Sequence, residues 1–175
     1  MKVILFKDKI DEQKLQADIL KKLNAVFSEK GYPVTEIEVA KNDVLPCAGC
    51  LYCYFKSNGD CIRKDLIWEI NKTIQNYDVI VYLGRTVFGQ FHSTMKNINE
   101  KTRLLKKGWV PLQIAIGYGN DITDEERSTF MDITKKHCGE ANIVHPLIPD
   151  RVEVFVSSSV KDNAKMEKDL RAMLS

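Results

Sequence analysis

The chain has 175 residues, enough for one domain with a substantial apolar core but not for two. Its composition of 44% hydrophobic and 29% charged residues is typical of a globular protein, which argues against disorder. A formal charge of +2 gives no support for nucleic-acid binding, and no apolar run is long enough to cross a membrane. The apolar start Val3–Phe6 is too short for a secretory signal, so we expect a cytoplasmic protein.

The first third of the chain contains two strands separated by a helix. Val3–Phe6 is a continuous apolar run, which is typical of a strand buried on both faces of a parallel sheet. Asp11 to Ser28 carries apolar residues at helical spacing, and Gly31 is placed to end that helix. Val34 to Val39 alternates apolar and polar residues, which predicts an edge strand. A cysteine-rich segment, 46–61, then follows this second strand.

The rest of the chain continues the alternation of apolar runs with helical stripes. Thr123 and Glu126 have the spacing of a capping box, which predicts the start of a helix. The predicted elements in chain order are a helical face of Leu66, Ile70 and Ile74; the strand Asp78–Leu83; a loop over 84–92; a helix with Met95, Ile98 and Leu105, followed by the charged run 101–107 as its solvated side; the strand Leu112–Ile116; the helix after Thr123; a short strand at 143–148; the strand Val152–Val156; and a closing helix over 159–174.

Five strand–helix alternations predict an α/β fold built on a parallel sheet, with right-handed crossovers. For one domain spanning 1–175 we expect the flavodoxin-like three-layer sandwich, with five parallel strands in the order 2-1-3-4-5 and the Val79 strand central. Ligands in such sheets bind beyond the carboxyl ends of the strands. The loops 7–11, 84–92 and 117–122 are therefore candidate binding segments, and the cysteine segment lies at the same edge.

Four of the five cysteines fall between positions 47 and 61. The spacing C-x2-C-x2-C brings three sulfurs to one side of a short loop, which suits an iron–sulfur cluster. Zinc sites more often use two separated CxxC pairs, and a reduced loop without metal or a redox disulfide also remain open. The candidate metal ligands are Cys47, Cys50, Cys53 and Cys61.

The segment Pro46-Cys47-Ala-Gly-Cys50-Leu-Tyr-Cys53, with Cys61 and Asp65 after it, resembles the multimeric flavodoxins and NADPH-dependent FMN reductases. It is similar in particular to the branch that carries a compact cysteine motif, which includes iron–sulfur flavoproteins. The run Tyr77–Tyr82, followed by Val87–Gln90, resembles that family's third strand and flavin-ring loop. The resemblance implies FMN as cofactor, a [4Fe-4S] cluster on the four cysteines and NAD(P)H as electron donor.

The resemblance also assigns residues to a flavin site. Its ring is expected between the segments 87–90 and 117–120. The phosphate is expected on main-chain N–H groups near 9–11, with help from lysine ammonium groups. The candidate cofactor-binding residues are Lys7, Lys9, Arg85, Thr86, Val87, Phe88, Gly89, Gln90, Gly117, Tyr118, Gly119 and Asn120.

The segment after the first strand departs from the family pattern. Family members have a Gly/Ser-rich phosphate loop here, whereas this chain reads Lys7-Asp-Lys-Ile-Asp11-Glu12. A phosphate needs convergent N–H donors and little negative charge nearby, and Asp8, Asp11 and Glu12 oppose it. We therefore predict weak, salt-sensitive flavin binding.

Two hypotheses about function follow. The first is an FMN-dependent oxidoreductase or electron-transfer flavoprotein of the NAD(P)H-dependent FMN reductase type, with a small-molecule or protein electron acceptor. The alternative is a relative that has lost FMN and acts as an iron–sulfur, metal or partner-binding module. In either case the apolar run Leu51–Phe55 predicts a homo-oligomer, because exposed aromatic patches usually mark contacts.

Overall fold

The computed structural model describes residues 1–9, 14–57, 60–102, 111–140 and 151–174. Its strands are β1 (Val3–Asp8), β2 (Val34–Val39), β3 (Val79–Val87), β4 (Gln90–Phe91), β5 (Leu112–Tyr118) and β6 (Val152–Ser157). Its helices are α1 (Lys14–Glu29), α2 (Tyr52–Phe55), α3 (Leu66–Asn71), α4 (Ser93–Thr102), α5 (Asp124–Glu140) and α6 (Val160–Met173), with a short 3-10 turn at Ile74–Asn76.

Five strands form a parallel sheet in the order β2-β1-β3-β5-β6. Counting only these five strands, the order is 2-1-3-4-5, so the predicted flavodoxin-like topology is confirmed, with β3 in the centre. The amino ends are aligned, since Val3 lies opposite both Val34 and Val79, and Val79 lies opposite Leu112. The carboxyl ends of β1, β3 and β5 therefore meet at one edge, where the order reverses and ligands of such sheets bind.

Alternating strand residues feed two apolar layers, one on each face of the sheet. Val3, Val81 and Ile114 point into the layer covered by α1 and α6. Ile4 and Ile80 point into the other layer, which is covered by α3, α4 and α5. Every central strand is buried on both faces, which explains why β1 and β3 read as continuous apolar runs rather than alternating ones.

The predicted loops over 84–92 and 117–122 begin later than expected, because β3 and β5 are both longer than predicted. Gly84 and Arg85 pair with Gly117 and Tyr118, which extends the parallel ladder beyond the apolar residues. The chain then turns back as β4, a short antiparallel strand that the sequence did not predict, with Val87 opposite Gln90. These strand ends contain glycine and polar residues, so the hydrophobic pattern of the sequence did not reveal them.

The structure corrects some other sequence predictions, and further ones fall outside the described residues. Lys101, predicted on the solvated side of a helix, is buried because its ammonium group pairs with Asp65. The predicted helical face from Leu66 ends at Asn71, and Ile74 belongs to the 3-10 turn. The short strand predicted at 143–148, Leu105 and the start of the helix at 11–13 lie outside the described residues. No helix among the described residues is long and apolar enough to cross a membrane.

Candidate functional site

A cleft of about 240 Å³ opens at the carboxyl edge of the sheet. We call it the edge cleft. One wall is formed by the end of β3 and its turn, and the other by the segment between β5 and α5. Its lining residues are Arg85, Thr86, Val87, Phe88, Gly89, Gly119, Asn120, Asp121, Ile122 and Glu126.

The first wall is a tight β-hairpin, residues 84–91, with Phe88 and Gly89 as its two-residue turn. Both have positive φ, 50° and 69°, as the type I′ turn requires. Phenylalanine is unusual there, because a side chain in this region costs about 1–3 kcal/mol. The Phe88 side chain is nevertheless 86% exposed at the mouth of the cleft. Strain and exposure together make Phe88 a candidate for a binding role, because an exposed ring in a strained turn contributes little to packing.

The hairpin is pressed against α5. A Cβ added to Gly89 would lie 2.9 Å from Thr129 Cβ and 3.2 Å from the Glu126 carbonyl oxygen. Only glycine suits both the backbone angle and this close approach. The close packing of the turn on α5 therefore fixes its position beside the cleft.

The second wall is fixed by local hydrogen bonds. Thr123 and Glu126 form the predicted capping box, in which Glu126 N–H donates to Thr123 Oγ1 at 3.2 Å and Thr123 N–H donates to Glu126 Oε2 at 3.0 Å. Gly119 N–H donates to the Ser157 carbonyl at 3.1 Å. Thr86 Oγ1 donates to the Tyr118 carbonyl at 3.1 Å and so joins the two walls. The protein's own hydrogen bonds therefore hold the cleft in shape.

Seven residues assigned to a flavin from the sequence line this cleft. Of the other lining residues, Asp121 and Ile122 were predicted only as part of the candidate binding segment 117–122, and Glu126 only as part of the capping box. Gln90 lies outside it, and its Oε1 accepts a hydrogen bond from Lys96 Nζ at 3.2 Å. Gly117 lies within β5, where an added Cβ would be 2.7 Å from the Phe130 ring. The seven residues are Arg85, Thr86, Val87, Phe88, Gly89, Gly119 and Asn120.

Lys7 and Lys9, the lysines predicted to help hold a phosphate, face carboxylates of the neighbouring edge strand. Lys7 Nζ lies 3.4 Å from Glu36 and 3.8 Å from Glu38, and Lys9 Nζ lies 3.8 Å from Glu38. These distances make both ammonium groups part of a charge ladder between β1 and β2. Isoleucine, aspartate, glutamate and glutamine at 10–13, the rest of that turn, lie outside the described residues.

Asp8, the last residue of β1, places a buried carboxylate beside the edge cleft. Its Oδ2 accepts a hydrogen bond from the Arg85 N–H at 2.8 Å, and its Oδ1 has no hydrogen-bond partner among the described residues. Burial raises the pKa of Asp8 to about 6, against the opposing effects of the Arg85 N–H and guanidinium. The Arg85 guanidinium itself has no carboxylate within ion-pair distance in the described ranges.

Tyr118 is the second buried polar group at this edge. The sequence placed it in a loop, but it ends β5 with a fully buried side chain. Burial, and then the Asp8 charge, raise the pKa of the Tyr118 hydroxyl far above its ordinary value. Gln16 lies beside that hydroxyl. The hydroxyl forms no hydrogen bond with the described residues. Burial along β5 is continuous from Gln113 to Tyr118, so an extension of the apolar run Leu112–Ile116 by two residues would have indicated that Tyr118 is buried. That its hydroxyl has no partner among the described residues depends on tertiary neighbours.

The cysteine loop, residues 46–61, lies at the same edge and is much less enclosed. Cys47 and Cys50 are exposed, Cys53 and Cys61 are partly buried, and all four are free thiols. Gly49 and Leu51 have φ of 65° and 55°, so the chain turns sharply around Cys50. Burial raises the pKa of the Cys53 thiol, and charge on the other three sulfurs would raise it further. Four thiols of this exposure suit a soft metal chemically, yet no three Cys, His, Asp or Glu side chains in the described ranges are gathered closely enough to hold an ion.

Asp65 closes this loop at its base, a role that the sequence did not reveal. It accepts hydrogen bonds from Leu45 N–H at 2.9 Å and from Trp68 N–H at 3.3 Å, where it caps α3. Lys101 of α4 completes the junction with a buried ion pair to Asp65, and both side chains are almost fully covered. Asn97 adds a hydrogen bond to the Val44 carbonyl at 3.3 Å. The two ends of the loop are therefore fixed to α4, whereas its middle has no such support among the described residues.

Comparison with known proteins adds to this geometry. No protein-family model matches the chain. A protein of Archaeoglobus fulgidus described as an iron–sulfur flavoprotein is 30% identical over 78 residues, 45% of this chain and 37% of that protein. The chain therefore covers well under half the length of this relative.

Among solved structures, the NAD(P)H:quinone oxidoreductase from Methanothermobacter marburgensis matches with a TM-score of 0.65 and 9% identity. That match covers 100% of this chain and 98% of the other. Oxidised flavodoxin 1 from Bacillus cereus matches with a TM-score of 0.58 and 10% identity, over 99% of this chain and 97% of the other. At such identities these matches establish the fold and not the activity.

Sequence and structure thus agree on one assignment. The compact cysteine motif predicted a similarity to iron–sulfur flavoproteins, and the sequence comparison confirms it. The strand order predicted a flavodoxin-like sheet, and the structure confirms that as well. This chain therefore has the flavodoxin-like fold, and over 78 of its residues it is similar to an iron–sulfur flavoprotein.

Proposed function

We propose that this chain is a flavin-dependent oxidoreductase or electron-transfer flavoprotein of the NAD(P)H-dependent FMN reductase type. The edge cleft is the observation that carries this proposal. It lies where the strand order of the sheet reverses, which is where flavodoxin-like sheets bind their ligands. Its walls contain seven of the residues that the sequence assigns to a flavin site.

The residues of the cleft suit the ring system of a flavin. Phe88 offers an exposed aromatic face on a fixed turn, and such a face stacks on planar rings. Arg85 supplies a cation without a carboxylate partner in the described ranges, and Gly119 lets the backbone approach a ring edge. A bound flavin would exchange hydride or single electrons, while the protein positions it and excludes competing reactions.

The cysteine loop suits a second redox role in the same proposal. Cys47, Cys50, Cys53 and Cys61 would hold a [4Fe-4S] cluster, and NAD(P)H would supply electrons that pass to a small-molecule or protein acceptor. The similarity to an iron–sulfur flavoprotein supports this arrangement. Holding a cluster would require the loop to bring its thiols closer together than they lie in the described ranges.

The exposed apolar side chains of the cysteine loop support assembly as a homo-oligomer. Leu51 is 51% exposed and Phe55 is 79% exposed, and Tyr52 lies between them. A second copy that covered this surface would remove apolar area from water and shield the thiols. Free thiols persist in reducing compartments, which supports a cytoplasmic location.

Flavin titration tests the proposal directly. Purified protein would be titrated separately with FMN and riboflavin, and quenching of flavin fluorescence would report binding. Stacking on Phe88 predicts that Phe88→Ala weakens binding by about tenfold. Phe55→Ala removes a similarly exposed aromatic ring from the cysteine loop and should change binding less than about twofold. Absence of binding to both flavins would overturn the proposal.

One observation favours a second candidate function, a relative that has lost FMN and works as an iron–sulfur, metal or partner-binding module. The end of β1 carries the Asp8 carboxylate, and both nearby lysines are engaged by glutamates of β2. This is a poor environment for a phosphate. Anaerobic reconstitution with iron and sulfide, followed by an absorption spectrum and metal analysis, separates the two functions. A cluster in protein that takes up no flavin would support the second.

A further inference from the structure

Strand β1, whose carboxyl end lies beside the edge cleft, ends in the negatively charged residue Asp8. The Asp8 side chain is only 4% exposed, so its charge acts through a medium of low dielectric and is poorly screened by salt. One carboxylate oxygen receives the Arg85 N–H, and the other has no partner in the described part of the chain. In a flavodoxin-like sheet, the first strand–helix turn is the place that receives a phosphate.

The two lysines at the end of β1 do not offset this charge. Lys7 lies within 4 Å of two glutamates, and Lys9 lies 3.8 Å from one of them. The four charges of Lys7, Lys9, Glu36 and Glu38 cancel. The Arg85 guanidinium is the remaining cation near Asp8, but it forms no ion pair with that carboxylate in the described ranges, and its attraction does not outweigh the burial that keeps the pKa of Asp8 raised. The sequence of the following turn adds Asp11 and Glu12, and it contains no Gly, Ser or Thr. The chemistry at the end of β1 therefore disfavours a dianion.

We propose that the edge cleft selects a flavin whose tail ends in an uncharged hydroxyl, as in riboflavin, and that Asp8 is the residue that selects against a terminal phosphate. This inference rests on the proposed flavin binding and narrows it to a ligand class. Selection acts through charge, so it needs no direct contact between Asp8 and the tail. A phosphate monoester carries nearly two negative charges at neutral pH and is repelled, whereas a hydroxyl is not.

Two flavins that differ only in the phosphate test the inference. At a pH of about 7.5, well above the pKa of Asp8, and at constant ionic strength, wild-type protein should bind riboflavin about tenfold more tightly than FMN. Asp8→Asn keeps an oxygen for the Arg85 N–H but removes the charge. It should raise the affinity for FMN by about tenfold and leave the affinity for riboflavin within about twofold.

Asp78→Asn is the matched control. Asp78 lies just before β3 at the opposite edge of the sheet, and its carboxylate also accepts one backbone N–H, from Lys2 at 2.6 Å. This variant changes the net charge equally and should leave the preference for riboflavin unchanged. If it raised the affinity for FMN as much as Asp8→Asn does, the assignment to Asp8 would be overturned.

Competition on the wild-type protein keeps the inference testable if the Asp8 variant does not fold. Inorganic phosphate should displace bound riboflavin no better than chloride at equal ionic strength. Displacement by phosphate, or tighter binding of FMN than of riboflavin, would overturn the inference while flavin binding stands. If neither flavin binds, the inference fails together with the proposed function.

Discussion

The hairpin 84–91 and the cysteine loop both lie at the carboxyl edge of the sheet, yet they are held in opposite ways. Among the described residues, each contains two in the left-handed region, Phe88 and Gly89 in the hairpin and Gly49 and Leu51 in the loop. A Cβ at Gly89 would collide with Thr129, whereas a Cβ at Gly49 would meet nothing within 4 Å. The hairpin is packed against α5, and the loop around Gly49 stands in open space.

This difference separates a preformed cleft from a loop whose thiols are not gathered among the described residues. The hairpin is a continuation of the central strand, so the sheet itself fixes its position. The cysteine loop is fixed at its base, through Asp65 and Lys101. The edge cleft is already open to a planar ligand, whereas a metal on the cysteine loop would have to draw its thiols together, at a cost in conformational entropy.

The largest expected effect tests the base of the cysteine loop. Lys101→Met would leave the Asp65 carboxylate buried without its cation, and we expect a loss of about 3–5 kcal/mol in unfolding free energy. Urea unfolding measures that loss, and faster labelling of Cys53 by a thiol reagent would report a loosened loop. The double variant Lys101→Met with Asp65→Asn should recover part of the loss, because it removes the unpaired charge. A single variant as stable as wild type would show that the loop does not depend on this pair.

The next effect concerns Asp8, which accepts a hydrogen bond from Arg85 at the start of the hairpin, and it is a dependence of stability on pH. The folded pKa of Asp8, about 6, lies above its unfolded value of 3.8. The folded state therefore binds the proton more tightly, and stability falls as pH rises from about 4 to 6. Above that range the charged Asp8 lowers the unfolding free energy by its full amount, at most about 3 kcal/mol.

Asp8→Asn should accordingly stabilise the protein above a pH of about 6 and give no advantage near a pH of about 4. Urea unfolding on both sides of this range would show the difference between variant and wild type shrinking as pH falls. Asp78→Asn provides the comparison for a general charge effect. Parallel stability curves for wild type and Asp8→Asn would contradict the assigned pKa.

The smallest effect compares the two regions directly. Gly89→Ala combines an unfavourable backbone angle with a steric clash and should cost about 2–3 kcal/mol. Gly49→Ala has the same backbone strain without the clash and should cost about 1 kcal/mol. Thermal or urea unfolding gives both values, and flavin affinity should fall only for the Gly89 variant. Equal costs would mean that packing on α5 does not distinguish the hairpin from the loop.

Much of the fold could be predicted from the sequence, because burial leaves a periodic mark. Residues such as Val3 and Ile4 face opposite layers, so a strand buried on both sides reads as an unbroken apolar run. The capping box at Thr123 is equally local, since it joins residues three apart. The positions of the edge cleft walls followed from these elements and from the rule that ligands lie at the reversal of strand order.

The sequence by itself predicted the five parallel strands and most of the helices between them, because burial leaves a local periodicity. It also predicted the flavodoxin-like order and the edge at which seven cleft residues gather, because a parallel sheet of this size favours that order and binds ligands where the order reverses. Tertiary structure alone decided the burial of Lys101 against Asp65, the burial of a Tyr118 hydroxyl that has no partner among the described residues, and the raised pKa of Asp8. The reason is that the charge and hydrogen bonding of a buried group depend on neighbours far along the chain. Asp8 meets Arg85 across 77 positions, and no pattern within either segment records that contact.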